Sequence, residues 1–203
     1  MDPGPPLSPR PVAVAALAAR VLATPARLGT VRLVCIDGPA GSGKTTLAGR
    51  LADALRDAAA LVHLDELYAG WTITGAQGRL QAGVLGPLAQ GRAGSHHRYD
   101  WAVRRFSPDP VAVPLREVVL VEGCGSSPRA LDPWTSLRIW VEAPAELRLR
   151  RGLARDGSGL EPEWRRWLGT EAAEFAREGT RGRADVRLDG AATSDDGGLL
   201  PVR

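Results

Sequence analysis

The stretch from Val31 to Leu55 constrains this chain more than any other. An apolar, β-like run (Val31 to Ile36) leads into Gly38-Pro39-Ala40-Gly41-Ser42-Gly43-Lys44-Thr45, and Thr46 to Leu55 then follows with helical spacing. The pattern G-x-x-x-x-G-K-[ST] between a strand and a helix is that of a phosphate-binding loop. Its glycines let the backbone bend so that successive N–H groups point at phosphate oxygens, and the helix N-terminus adds partial positive charge. The spacing predicts that Gly38 to Thr46 cradles a nucleotide, with Lys44 reaching the β- and γ-phosphates and the Thr45 hydroxyl ligating Mg²⁺. A glycine-rich turn with no ligand is the competing interpretation, and the strand and helix on either side count against it.

Composition sharpens the case for the loop. Lys44 is the only lysine among 26 basic residues, the others being arginine. A chain rich in Arg, Ala, Gly and Pro looks like the product of GC-rich coding, which disfavours lysine codons. A lysine kept only here indicates a site that needs a compact ammonium on a flexible stem.

The rest of the composition sets limits. At 203 residues the chain is long enough to bury one full core and leaves little room for a second. A net charge of +3 is too mild for the concentrated basic face of a nucleic-acid binder and suits anionic small substrates equally well. Cys35 and Cys124 sit in or beside apolar runs; two such cysteines supply neither a disulfide framework nor metal-ligand spacing, which favours a reducing cytoplasm. No run of 18 apolar residues and no basic-then-apolar opening occurs. The expectation is a soluble cytoplasmic protein with no membrane and no nucleic-acid polymer among its partners.

Taken in order, residues 1–29 read as a loose, proline-rich arm followed by a helix from Pro11 to about Leu22. Strands are expected at Val31 to Ile36, Ala60 to Leu64, Glu117 to Glu122, Leu137 to Val141 and Val186 to Leu188. Helices are expected after the glycine loop to about Asp57, from Gly75 to Gln90, from Ala145 to Arg155 and from Pro162 to Glu178. The polar, basic and aromatic stretch from Ser95 to Arg105 reads as a loop, and residues 191–203 as a loosely held tail. Strands alternating with helices imply a parallel sheet covered on both faces, with ligands beyond the carboxyl ends of its strands.

Several side chains gather at those strand ends. Asp65 follows strand two, where a carboxylate could take a proton from an attacking hydroxyl, hold a metal, or merely cap a helix. Glu122 ends strand three and could bind Mg²⁺ or hold a substrate hydroxyl. Arg148, Arg151 and Arg155 fall at spacings of three and four on one helix face. They are either solvated charge or arginines that close over phosphates, with Arg151 and Arg155 preferred for the second role. Tyr68, Trp71, Tyr99 and Trp101 flank the acidic candidates and could stack on a planar acceptor or belong to the core. Trp140 reads as core, and the adjacent His96 and His97 project apart, too poorly placed to share a metal.

Four segments together resemble the uridine kinase-like branch of P-loop kinases: GPAGSGKT at 38–45, HLDELY at 63–68, RYDW at 98–101 and VLVEG at 119–123. The pattern RRGLARD at 150–156 resembles that family's lid, here about residues 148–160. The resemblance implies a three-layer α/β fold over residues 30–190, with a five-stranded parallel sheet of order 2-3-1-4-5 flanked by helices. It implies ATP and Mg²⁺ as cofactors, Asp65 as base, Tyr99 and Asp100 as nucleoside contacts, and Arg151 and Arg155 as the lid. The chain departs from the family at Trp101, where a Phe is usual, and at Arg104, where a His would stand. Arg104 would suit an acceptor that already carries a phosphate or carboxylate, or it is a surface charge.

The expectation is therefore a kinase that phosphorylates a small hydroxyl-bearing acceptor, a nucleoside or nucleotide first. Its rivals are a kinase for another metabolite or an antibiotic, and a regulatory protein that binds ATP without turnover. A GTPase with the Asn-Lys-x-Asp guanine motif is ruled out by the single lysine.

Overall fold

Parallel strands need apolar side chains on both faces, and the near-continuous Val/Leu/Ile runs of this chain meet that need. In a computed structural model, which describes residues 12–193 and 199–201, five such strands lie side by side. They are β1 (Arg32–Asp37), β2 (Ala59–His63), β5 (Val118–Glu122), β6 (Thr135–Glu142) and β7 (Val186–Thr193). Their order is β2-β5-β1-β6-β7, all parallel, which in the expected strand count is 2-3-1-4-5.

Alternation along the strands divides the core into two layers. On one face Val34, Ile36, Val118 and Leu120 meet Leu17 and Val21 of α1 (Val14–Ala23) and Leu47, Leu51 and Leu55 of α2 (Lys44–Leu55). On the other, Leu33, Cys35, Val119 and Val121 meet Leu80, Val84, Leu85 and Leu88. Those four leucines and valines lie on one helical run, made of α3 (Ala76–Leu80), a π-helical turn at Gln81–Leu85 and α4 (Gly86–Ala89). Trp167 of α6 (Glu161–Glu178) completes that face. The carboxyl ends of β1, β2 and β5 open toward α5 (Ala145–Asp156), α6 and the glycine loop.

Two expectations are corrected. The stretch read as a loop from Ser95 to Arg105 instead forms an antiparallel hairpin, β3 (Gly94–Asp100) with β4 (Arg105–Val113). Gly94, His96 and Tyr99 turn inward while their neighbours face water, so a polar composition conceals a one-sided strand. Pro108 and Pro110 are tolerated because β4 pairs on one edge only. The tail expected to be loose is in part strand: β7 runs to Thr193, and β8 (Leu199–Pro201) pairs antiparallel with it as a sixth strand. Pro11 and the arm at 1–9 lie outside the described residues. Among the described residues, no helix is long and apolar enough to cross a membrane.

Candidate active site

The glycine loop is held from both sides by backbone. At Gly38 (φ 137°) a Cβ would sit 2.1 Å from the Val141 carbonyl oxygen, and at Gly41 (φ 77°) it would sit 2.5 Å from that of Arg148. Neither position admits a side chain, so β6 and α5 can close directly onto the loop. The helix N-terminus of α2 begins at Lys44, where unpaired N–H groups favour an anion.

Asp37, which the sequence did not single out, braces this loop. Its Oδ1 accepts N–H bonds from Gly38 (2.7 Å) and Gly125 (2.9 Å), and its Oδ2 accepts one from Ser127 (2.9 Å). Burial pushes its carboxyl up to about 6, against the opposing pull of those three N–H donors. The segment after β5 is thereby tied to the loop after β1.

Lys44 is buried, with 6% of its surface exposed, and its Nζ donates to the Pro39 carbonyl at 2.9 Å and lies 3.7 Å from Cys124 Sγ. Burial works against the ammonium, but the surrounding acidic groups, Glu122, Glu171 and Asp37 among them, outweigh it and raise the pKa of Lys44. Thr45 Oγ1 donates to Glu122 Oε1 at 3.1 Å, and His63 Nδ1 shares that oxygen at 2.7 Å. Among the described residues, no cluster of three or more His, Cys, Asp or Glu side chains could hold a metal. A hydroxyl and one carboxylate nevertheless fit Mg²⁺, which keeps several waters and takes its remaining oxygens from substrate phosphates. Thr45 and Glu122 are the residues that would hold it.

A single cavity of about 1120 Å³ brings together most of the predicted side chains. Ala40, Gly41, Gly43, Lys44, Thr45 and Thr46 of the loop line it, as do Asp65, Glu122, Arg151 and Arg155. Asp65 sits in the short turn Leu64–Leu67 after β2, its pKa raised by burial and by the charge of Glu122. Arg151 Nη1 donates to the carbonyls of Gly41 (3.2 Å) and Gly190 (3.1 Å). Arg155 pairs with Asp156 at 2.7 Å, and its guanidinium carbon stands 5.8 Å from the Trp164 ring.

Much of the remaining lining is aromatic: Tyr68, Trp71, Tyr99 and Trp101, joined by Trp164 and Trp167 of α6. Trp71 meets Trp101, Trp164 and Trp167 edge-on at centroid distances of 5.7, 6.1 and 6.0 Å. Trp71 and Trp101 remain exposed, the pair most open to a ligand. Trp140 is core, packed against Phe175 at 4.8 Å.

Some predicted residues stand elsewhere. Gly38, Pro39 and Ser42 shape the loop without lining the cavity. Asp100, expected to contact the acceptor, caps the hairpin turn instead, its Oδ1 accepting from the N–H groups of Ala102 (2.9 Å) and Val103 (3.1 Å). His96 faces inward to Glu66 at 2.8 Å while His97 is exposed, so the two do project apart. Arg104 does line the cavity, at φ 53°, and among the described residues it makes no hydrogen bond or ion pair.

Sequence reasoning missed Asp37, His63, Glu171, Trp164 and Trp167. The last three carried a signal: spacings of three and four place them on one face of α6, a buried stripe that includes an acid.

No protein-family model matches the chain. A uridine kinase of Halobacterium salinarum is 27% identical over 180 residues, covering 78% of this chain and 80% of that protein. Among solved structures, a possible uridine kinase from Bacillus stearothermophilus superimposes with a TM-score of 0.64 at 20% identity, over 87% of this chain and 97% of that one. A protein provisionally assigned as a fructose transport system kinase, from Silicibacter sp. TM1040, gives 0.58 at 22% identity, over 81% and 95%.

Proposed function

We infer, for a chain similar in sequence and fold to uridine kinase-like P-loop kinases, an ATP-dependent, Mg²⁺-requiring kinase acting on a small hydroxyl-bearing acceptor. A nucleoside or nucleotide is the acceptor class proposed first. The observation that carries this is convergence: the phosphate-binding loop, two carboxylates, two arginines and an aromatic wall, drawn from distant parts of the chain, line one cavity.

In this proposal the ATP phosphates lie along Gly38 to Thr46, with the Lys44 ammonium beside the β- and γ-phosphates. Mg²⁺ at Thr45 and Glu122 would neutralise charge on the phosphate oxygens. Asp65 accepts the proton of the attacking hydroxyl, which it also orients. Arg151 and Arg155 face the transferring group and stabilise its charge. The acceptor rests against Trp71 and Trp101, where a planar ring would complete the edge-on cluster.

Arg104 favours a second acceptor class on the same scaffold. A cation without a partner among the described residues, on a non-glycine residue held at positive φ, suits an acceptor that already carries a phosphate or carboxylate.

A coupled ADP-release screen over nucleosides, nucleoside monophosphates, sugars and hydroxy acids tests the proposal. Phosphorylation of a nucleoside or nucleotide supports the first class, and a preference for anionic acceptors supports the second. If none is phosphorylated while ATP still binds, a regulatory ATP-binding protein replaces both. With an acceptor in hand, Trp71→Leu is expected to raise its KM roughly 2- to 10-fold, the worth of one aromatic pair. ATP affinity by calorimetry should stay unchanged, because the ring contacts of Trp71 are with Trp101, Trp164 and Trp167 rather than with the glycine loop.

A further inference from the structure

Glu171 takes no part in the steps above, yet it is a buried acid as heavily engaged as Asp37, with 2% of its surface exposed. Its Oε2 accepts the Ala40 N–H at 2.8 Å and stands 3.4 Å from Cys124 Sγ. Its Oε1 accepts from Arg148 Nη1 at 2.8 Å, and the same Nη1 reaches the Ala40 carbonyl at 3.4 Å. The peptide group of Ala40 is therefore held on its N–H side by α6 and on its carbonyl side by α5. A carboxylate buried beside two tryptophans is costly, and a hydrophobic residue there would pack at least as well.

We propose that Glu171 is a positioning residue that sets the Ala40 segment of the phosphate-binding loop and ties it to the helix walling the acceptor end. Both ends of the link are on α6. Trp167 lies four residues before Glu171, one helical turn away, and Trp164 lies one turn further. Trp71, at the acceptor end, touches both rings. When phosphate fills the loop and shifts Ala40, the shift reaches the tryptophan wall through Glu171. The proposal rests on the loop being the donor site.

The test needs neither acceptor nor turnover. Tripolyphosphate with Mg²⁺ engages the loop but has no base to stack on or quench tryptophan. Four of the six tryptophans line the cavity, so intrinsic fluorescence reports on that wall. Calorimetry measures binding in parallel.

Wild type should bind and change its emission. Glu171→Gln keeps the shape but turns an NH₂ toward a donor, so one of the two grips is lost. It should bind about 10-fold more weakly, the worth of a charge-assisted hydrogen bond, and at saturation its emission should no longer change. Arg148→Lys, which can still pair with Glu171 but cannot also span the Ala40 carbonyl, should show the same loss and serves if the first variant fails to fold. A folded Glu171→Gln with wild-type affinity and wild-type emission change overturns the proposal, as does a wild type that binds calorimetrically without any emission change. Failure of wild type to bind tripolyphosphate at all instead overturns the donor-site assignment on which the proposal stands.

Discussion

Asp65→Asn is expected to bind Mg·ATP normally and to lose about 10² to 10⁴ of its turnover, the usual worth of a positioned general base. Asparagine keeps the shape of the side chain and can still hydrogen-bond a hydroxyl, but it cannot take a proton. The residue lies in a short turn, lines the cavity, and among the described residues makes no side-chain hydrogen bond or ion pair whose loss would confuse the result with misfolding. Its pKa is raised by burial and by Glu122, so a second signature follows. Turnover needs the ionised form and should fall as pH drops through that raised value. The acid limb therefore lies above the ordinary aspartate range near 3.9, and the variant should lack it. Single-turnover assays at saturating Mg·ATP, repeated across pH, measure both. Wild-type rates in Asp65→Asn would reduce Asp65 to a cap on its turn.

The parts of this site that could be read from the sequence share a physical character. Strand, glycine loop and helix announce themselves through local pattern: an apolar run, glycines where a side chain would strike backbone, and then helical spacing. Arg151 and Arg155 were legible for the same reason, since spacings of three and four share a helix face. What stayed hidden depends on distant partners. Asp37 looks like any acid after a strand until Gly125 and Ser127 are seen to donate to it across the sheet. The hairpin at Gly94–Val113 hid because its single buried face carries Gly94, His96 and Tyr99 rather than an aliphatic alternation. Asp100 was placed by resemblance, and its carboxylate is taken up by the turn that ends β3. The strand order also came from resemblance, because continuous apolar strands carry no mark of which neighbour they pair with.

Lys44→Arg should cost about 10² to 10³ in turnover even though the charge is kept, a loss of the size seen when one transition-state contact is removed. The ammonium sits in a narrow place. It is 2.9 Å from the Pro39 carbonyl and 3.7 Å from Cys124 Sγ, with only 6% of the residue exposed. A guanidinium is planar, wider, and presents its donors in a rigid fork. To enter, it must push against Cys124, whose thiol is itself held between the Gly38 carbonyl (3.3 Å) and Glu171 (3.4 Å). To stay out, it must leave the phosphate side of the loop without its cation. Either way the contact with the transferring group is lost, and ATP affinity falls with it where the same ammonium helps hold the ground state. Measuring kcat beside ATP affinity by calorimetry separates the two losses. Wild-type values in both would mean that an arginine serves as well here, and the lone lysine would then be an accident of codon usage.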